Sequence, residues 1–263
     1  MYTMPHFQTT SQAYMFTLKS LLKYPDTICQ PRGQSVFEIS DYCFKVEKPS
    51  SDPIVTKDLD RNKVIARYTA QEIDLYNSMS NRVEDFAKAS KFWEKIANPD
   101  GTINSAYGYL IWGSKSLGNP NFESVKVTKA AFDFSLVTEE PVYRTPWEWC
   151  VKALKDDKHT RQAVLRFSLP EHHYSGNLDF TCTMHANFSI RNEELNLSVM
   201  MRSNDVVKGM AYDMPWFCSL MDKMLLDLKS TYPLLNKGKY THMVHSMHAY
   251  EKDFPVIRKM LGE

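Results

Sequence analysis

Two runs with strand character, Leu178 to Ile190 and Leu195 to Met201, flank the polar turn Arg191-Asn192-Glu193-Glu194. Run, turn and run predict a β-hairpin, and a hairpin dictates which residues face one another. A turn centred on Asn192-Glu193 sets Cys182 opposite Ser203 and next to Arg202. A guanidinium within a few ångströms favours the thiolate, so this pairing makes Cys182 a candidate nucleophile. Arg202 and Ser203 also offer a planar fork and a hydroxyl to a phosphate. The plainer reading of Cys182 is a small buried hydrophobe, and a slip of one residue would turn it away.

Around the hairpin the chain mixes helices and strands without regular alternation, which predicts an α+β fold. Residues 10–24 carry apolar side chains at helical spacing, Val36 to Val46 alternates as a strand, and Thr69 to Ser78 and Val83 to Ala97 read as helices. The stretch Ser114 to Pro146, rich in Pro and Asn, reads as a long surface excursion. Gln162 to Ser168 is a strand, Gly209 to Leu228 a mostly buried helix entered past Pro215, Tyr240 to Tyr250 a strand, and Glu251 to Leu261 a closing helix. No repeat, low-complexity tract or Gly/Ser linker divides the chain, so residues 1–263 are expected to form one domain.

Composition narrows the function classes. The 263 residues carry a formal net charge of +1, without the basic excess of a dedicated nucleic-acid binder. No apolar run is long enough to span a bilayer, and Met1 to His6 lacks the regions of a signal peptide. Five scattered cysteines form no zinc-like pairs, and an odd count points to reduced thiols in a cytoplasm. None of the eight histidines sits in a ligand motif, so no metal is expected.

Four segments in order carry a resemblance. Met201-Arg202-Ser203-Asn204-Asp205-Val206-Val207, with Gly209 after it, resembles the Arg-Ser-x-Asp segment of the thymidylate synthase superfamily, and more closely that of the phage deoxycytidylate (dCMP) hydroxymethylases. Asn104-Ser105-Ala106-Tyr107-Gly108, followed by Trp112, is similar to the family's Tyr-Gly segment. Asp179-Phe180-Thr181-Cys182-Thr183 resembles the stretch around its nucleophile, and His248-Ala249-Tyr250 its His-x-Tyr pair. The match runs loosely from about residue 30 to 255.

The resemblance implies a large mixed β-sheet with surrounding helices, dimerised through sheet packing. It implies a one-carbon unit passed from methylenetetrahydrofolate to carbon 5 of a pyrimidine deoxynucleoside monophosphate. In that scheme Cys182 attacks carbon 6, and Glu72 organises water and relays protons. Tyr107 lies near the reacting base, Trp93 contacts the folate, Asp205 bonds the pterin, and His248 and Tyr250 reach the 3′-hydroxyl. Without the resemblance Glu72 reads as a solvated helix charge, Trp93 and Tyr107 as packing aromatics, Asp205 as a turn or cap, and His248 and Tyr250 as solvent-facing.

Asp213 stands eleven residues after Arg202, where the uracil-directed synthases carry asparagine and the cytidylate enzymes aspartate. Cytosine presents an acceptor at N3 and a donor at N4, which a carboxyl sharing its proton can match. Asp213 is therefore assigned to the base, with a helix-start charge as the plain alternative. Two departures stand out. Where the family has adjacent arginines reaching the partner subunit's phosphate site, this chain has Arg161 and Gln162, and Arg32 is displaced by about one position from the phosphate loop. Hydroxymethylation of dCMP in a phage-infected cytoplasm is the expected activity. Methylation of dCMP, a dUMP-directed enzyme, a silent nucleotide-binding protein and an RNA-binding domain are the rivals.

Overall fold

The computed structural model describes residues 4–113 and 145–263. Its first helix, α1 (Thr10–Lys23), is started by Thr9, whose side chain accepts from the Gln12 backbone, and it buries Ala13, Tyr14, Thr17, Leu18 and Leu21 on one face. A short strand precedes it, β1 (His6–Phe7), and β2 (Thr27–Cys29) follows. The strand expected at Val36 to Val46 is β3 (Val36–Val46), with those bounds. Helix α2 (Leu59–Asn77), capped by Asp58, is ten residues longer at its start than the periodicity shows.

The helix expected over Val83 to Ala97 is broken. It forms α3 (Val83–Ala89) and then a separate 3₁₀ turn at Trp93–Lys95, with Ser90 extended between them. Helix α4 (Tyr107–Trp112) passes so close to α2 that a Cβ on Gly108 would lie 1.7 Å from the Tyr76 carbonyl oxygen. Most of the excursion expected over Ser114 to Pro146 lies outside the described residues. Its last residue opens α5 (Pro146–Asp156), for which Thr145 and Glu148 form a capping box.

The strand expected from Gln162 to Ser168 is the short β4 (Val164–Arg166). The hairpin consists of β5 (Thr183–Arg191) and β6 (Glu194–Asp205), joined through Asn192 and Glu193, both at positive φ as a tight primed turn requires. Leu178 to Cys182 is not strand, because the bond of Arg202 N to Cys182 O ends the ladder there. The chain then makes a wide π-type turn at Val206–Met210 and enters α6 (Ala211–Leu228), which contains Pro215 rather than starting after it. Strand β7 (Asn236–Tyr250) leads to a 3₁₀ turn at Glu251–Asp253 and to α7 (Phe254–Leu261).

The sheet runs β1-β3-β7-β6-β5-β4, with β2 also on β3. Pairs β6–β7 and β1–β3 are parallel and the others antiparallel, so the sheet is mixed, as expected. Helix α6 lies within the core, burying Trp216, Phe217, Leu220, Met221 and Met224 completely. Burying a large apolar side chain contributes about 1.5–3 kcal/mol, so this helix is a rigid mount for the one carboxylate in its first turn, Asp213. No helix among the described residues is long and apolar enough to cross a membrane.

Candidate active site

The hairpin register is the expected one from Arg191↔Glu194 up to His185↔Met200, and a bulge then shifts it by one. Cys182 therefore faces Arg202, not Ser203, across the strand end. Arg202 is tied down: Nε donates to Thr181 O at 3.1 Å, Nη2 to the Phe180 carbonyl, and the guanidinium stacks on the Phe180 ring at 5.0 Å. Its Nη2 is 3.6 Å from Cys182 Sγ. Arg202 acts on the sulfur in the expected direction, but burial acts more strongly the other way. Burial pushes the Cys182 thiol up to about 11, and the nearby Arg202 only partly offsets that. Cys182 is a neutral thiol held ready beside a cation.

On the opposite wall, Glu72 of α2 is 8% exposed and far from a solvated helix charge. Burial, then the carboxyl of Asp213, pushes it up to about 8, while hydrogen bonds from Tyr68 and Tyr76 oppose the rise. Asp213 rises to about 7, chiefly through burial, with the Asn204 side chain bonded to it in opposition. Two facing carboxyls that titrate near neutrality are suited to proton transfer. Tyr107 lies between these walls, stacked on Tyr76 at 5.3 Å, and its hydroxyl receives the Thr183 hydroxyl at 2.9 Å. Both Asp213 and Cys182 contribute to holding the Tyr107 phenol protonated, after burial itself.

Ser203 and His248 meet across β6 and β7, Oγ to Nδ1 at 3.5 Å, and the Tyr250 ring stands edge-on to His248 at 5.6 Å. Lys208 and Lys252 each lie 4.8 Å from the Tyr250 ring centre. Arg32, in a left-handed conformation at φ 52°, is close enough to Tyr250 to act on its hydroxyl. Arg161 is exposed on the loop into β4 and makes no hydrogen bond or ion pair among the described residues.

A pteridine needs a flat wall and an acceptor. Trp93 is largely buried, with Nε1 donating to the Tyr68 hydroxyl at 3.3 Å and Phe92 exposed beside it. Asp205 uses Oδ1 to cap the wide turn, accepting from Val207 N at 2.8 Å and Lys208 N at 3.0 Å. That is its plain structural role, yet Oδ2 keeps only a 3.7 Å contact to Lys208 and can accept from a ligand. The residues present fit such a group.

Several members of this cluster were not singled out in the sequence. Tyr68 and Tyr76 bond Glu72, and Thr183 holds Tyr107. Asp179 accepts from Ser105 N at 2.9 Å and from its hydroxyl, binding the cysteine loop to the start of α4. The signal for the tyrosines was present, since Tyr68, Glu72 and Tyr76 recur every four residues along one helix face. The Asp179–Ser105 pair, 74 positions apart, left none.

With this geometry in place, a thymidylate synthase family model matches residues 13–263. The chain belongs to the thymidylate synthase family. That family's chemistry is the folate-dependent transfer of a one-carbon unit to a pyrimidine nucleotide. Among curated relatives, the deoxycytidylate 5-hydroxymethyltransferase of Enterobacteria phage T6 is 25% identical over 243 residues, covering 90% of this chain and 84% of the relative. The enzyme of the same name from Enterobacteria phage T4 is 24% identical with the same coverage. The thermostable thymidylate synthase A of Bacillus subtilis superposes with a TM-score of 0.67 at 16% identity, covering 97% of this chain and 84% of that one. That likeness establishes the thymidylate synthase fold.

Proposed function

We propose that this thymidylate synthase family protein converts dCMP, methylenetetrahydrofolate and water into 5-hydroxymethyl-dCMP and tetrahydrofolate. The observation that carries the reading is the buried carboxyl of Asp213, raised to about 7, at the first turn of α6 where it faces Glu72 across the site. A neutral carboxyl both donates and accepts, and with its proton on the oxygen facing N3 it matches N3 and N4 of cytosine and opposes the N3 hydrogen of uracil.

In this reading Cys182 adds through sulfur to carbon 6 and gives up its proton, so that carbon 5 becomes nucleophilic. The folate supplies a one-carbon unit at the oxidation level of formaldehyde. Carbon 5 gains that unit and loses its own proton, and water then adds to the exocyclic carbon as the Cys182 bond breaks. No redox partner is required. Glu72, protonated near neutrality, handles the protons at the ring and at the water. Tyr107 packs against the base. Arg202 and Ser203 take the phosphate together with Arg32, and His248 and Tyr250 take the sugar. Trp93 and Asp205 hold the folate.

The protein is assigned as a homodimer whose sheets pack face to face. The sheet face opposite the core carries half-buried Asn187, Ser198, Met200 and Met243, and an exposed Arg161 is free to reach a partner's phosphate. Residues 1–263 act as one domain in the cytoplasm of a phage-infected bacterium. The test is incubation with methylenetetrahydrofolate and dCMP or dUMP, with products read by mass spectrometry. Hydroxymethyl-dCMP that vanishes with Cys182→Ala supports the assignment. Methyl-dCMP refutes the water step, and a product from dUMP alone refutes the base.

A further inference from the structure

A buried polar strut runs from the floor of the sheet to Asp213. Tyr240 and His242, successive residues on one face of β7, are both fully buried, and the Tyr240 hydroxyl is 2.6 Å from His242 Nδ1. Asn204 of β6 is 3% exposed, and its Nδ2 is 3.3 Å from His242 Nε2. The same amide is bonded to the carboxyl of Asp213. Gly209 makes this approach possible, since a Cβ there would lie 2.7 Å from Asn204 Oδ1 and 3.1 Å from Asp213 Oδ2. Nothing in the catalytic scheme above uses Tyr240, His242 or Asn204.

The direction of donation along the strut follows from its chemistry. Burial holds His242 down to about 3, so the ring is neutral and carries one proton. With Asn204 donating to Nε2, that proton is on Nδ1 and is donated to the Tyr240 oxygen. Asn204 Oδ1 is left buried without a donor. An unpaired buried acceptor costs about 1–3 kcal/mol, so this orientation persists because the nitrogen end is held by His242 and Asp213, with Met201 Sδ at 2.9 Å beside them.

We propose that His242, backed by Tyr240, is a positioning residue that keeps the Asn204 amide nitrogen turned toward Asp213 and thereby decides which Asp213 oxygen bears the acid proton. The oxygen that accepts from Asn204 is the carbonyl oxygen. The proton is on the other oxygen, where it donates to N3 of cytosine, while the carbonyl oxygen accepts from N4. Uracil, with a hydrogen on N3, meets that proton head-on. The inference rests on the cytosine reading of Asp213.

The experiment has two arms. In ¹⁵N-histidine-labelled protein, with the His242 signals assigned by their loss in His242→Gln, the proton should be on Nδ1. A proton on Nε2 overturns the strut without any variant having to fold. In the second arm, dCMP and dUMP binding are measured by calorimetry for the wild type, His242→Gln and His242→Phe. Glutamine keeps an acceptor for Asn204 and should leave the dCMP:dUMP affinity ratio within about threefold, whereas phenylalanine should lower it at least about tenfold. A wild type that prefers dCMP, with both variants keeping or both losing that preference, overturns the strut alone. A wild type with no preference for dCMP overturns the cytosine reading and the strut together.

Discussion

Arg202 Nη2 stands 3.6 Å from Cys182 Sγ while the same guanidinium is bonded to the carbonyls of Thr181 and Phe180. The cation is fixed by main chain first and serves the sulfur second. Since burial outweighs it and holds the thiol up at about 11, alkylation of Cys182 by iodoacetamide should keep rising with pH toward that value. Arg202→Gln should push the midpoint higher still. A wild-type midpoint below about 8 would mean that the cation, not burial, governs the sulfur.

Removing the sulfur is a separate matter. Cys182→Ala should lower kcat at least about 1,000-fold while leaving nucleotide affinity nearly unchanged, because attack on carbon 6 has no substitute nucleophile. Among the described residues the other cysteines, Cys29, Cys43, Cys150 and Cys218, are absent from the cluster. Residual turnover near the wild-type rate would remove covalent catalysis from the scheme.

Glu72 ties activity to stability. Its folded value, about 8, is above its ordinary value of 4.5, so in that window the folded protein retains a proton that the unfolded chain has released. Stability therefore falls as pH rises through the window and levels off above about 8. Glu72→Gln escapes this, and its gain in unfolding free energy should be larger at pH 9 than at pH 6 by on the order of 2 kcal/mol. Paired denaturant titrations at the two pH values read the difference, and turnover should drop in the same variant. An equal gain at both pH values would contradict the raised carboxyl.

Asp213→Asn should exchange one base for the other. An amide offers N3 of uracil an acceptor and O4 a donor, so kcat/KM for dCMP should fall at least about 100-fold and activity on dUMP should rise. Competition between the two nucleotides in one reaction gives the ratio directly. A variant that still prefers dCMP would show that the base is read elsewhere.

Gly108→Ala tests the seam between α2 and α4. The new Cβ would meet the Tyr76 carbonyl at 1.7 Å, and backbone cannot swing aside as a side chain can. A loss of at least about 3 kcal/mol, with Tyr76 and Tyr107 pried apart, is expected. Thermal unfolding with tyrosine fluorescence would register both effects.

Much of the scaffold was legible because it depends on local pattern. Alternation gave β3 its bounds, and the turn placed β5 against β6 down to His185. Legibility ended where the cause was not local. The bulge beyond His185 moved Cys182 from Ser203 to Arg202, and a register read outward from a turn has no means of anticipating it. Helix α2 begins early because Asp58 caps it, although the first turns bury little. The balance at the thiol was not legible, because a charge partner shows in a register, whereas the depth of burial that outweighs it is set by the packing around the site. The resemblance supplied Glu72, Trp93 and His248, each of which reads as ordinary without it.

The wide turn at Val206–Met210 does more than join a strand to a helix. An α-helix advances about 100° per residue, so the length of the lead-in determines which way each side chain of α6 points. Deleting Lys208 would keep every residue named in the proposed scheme in the sequence and still swing Asp213 about a quarter-turn away from Asn204 and Glu72. The carboxyl in this protein is thus specified by rotational phase as well as by residue type. A redesign of its base preference has two handles, one chemical and one a matter of counting.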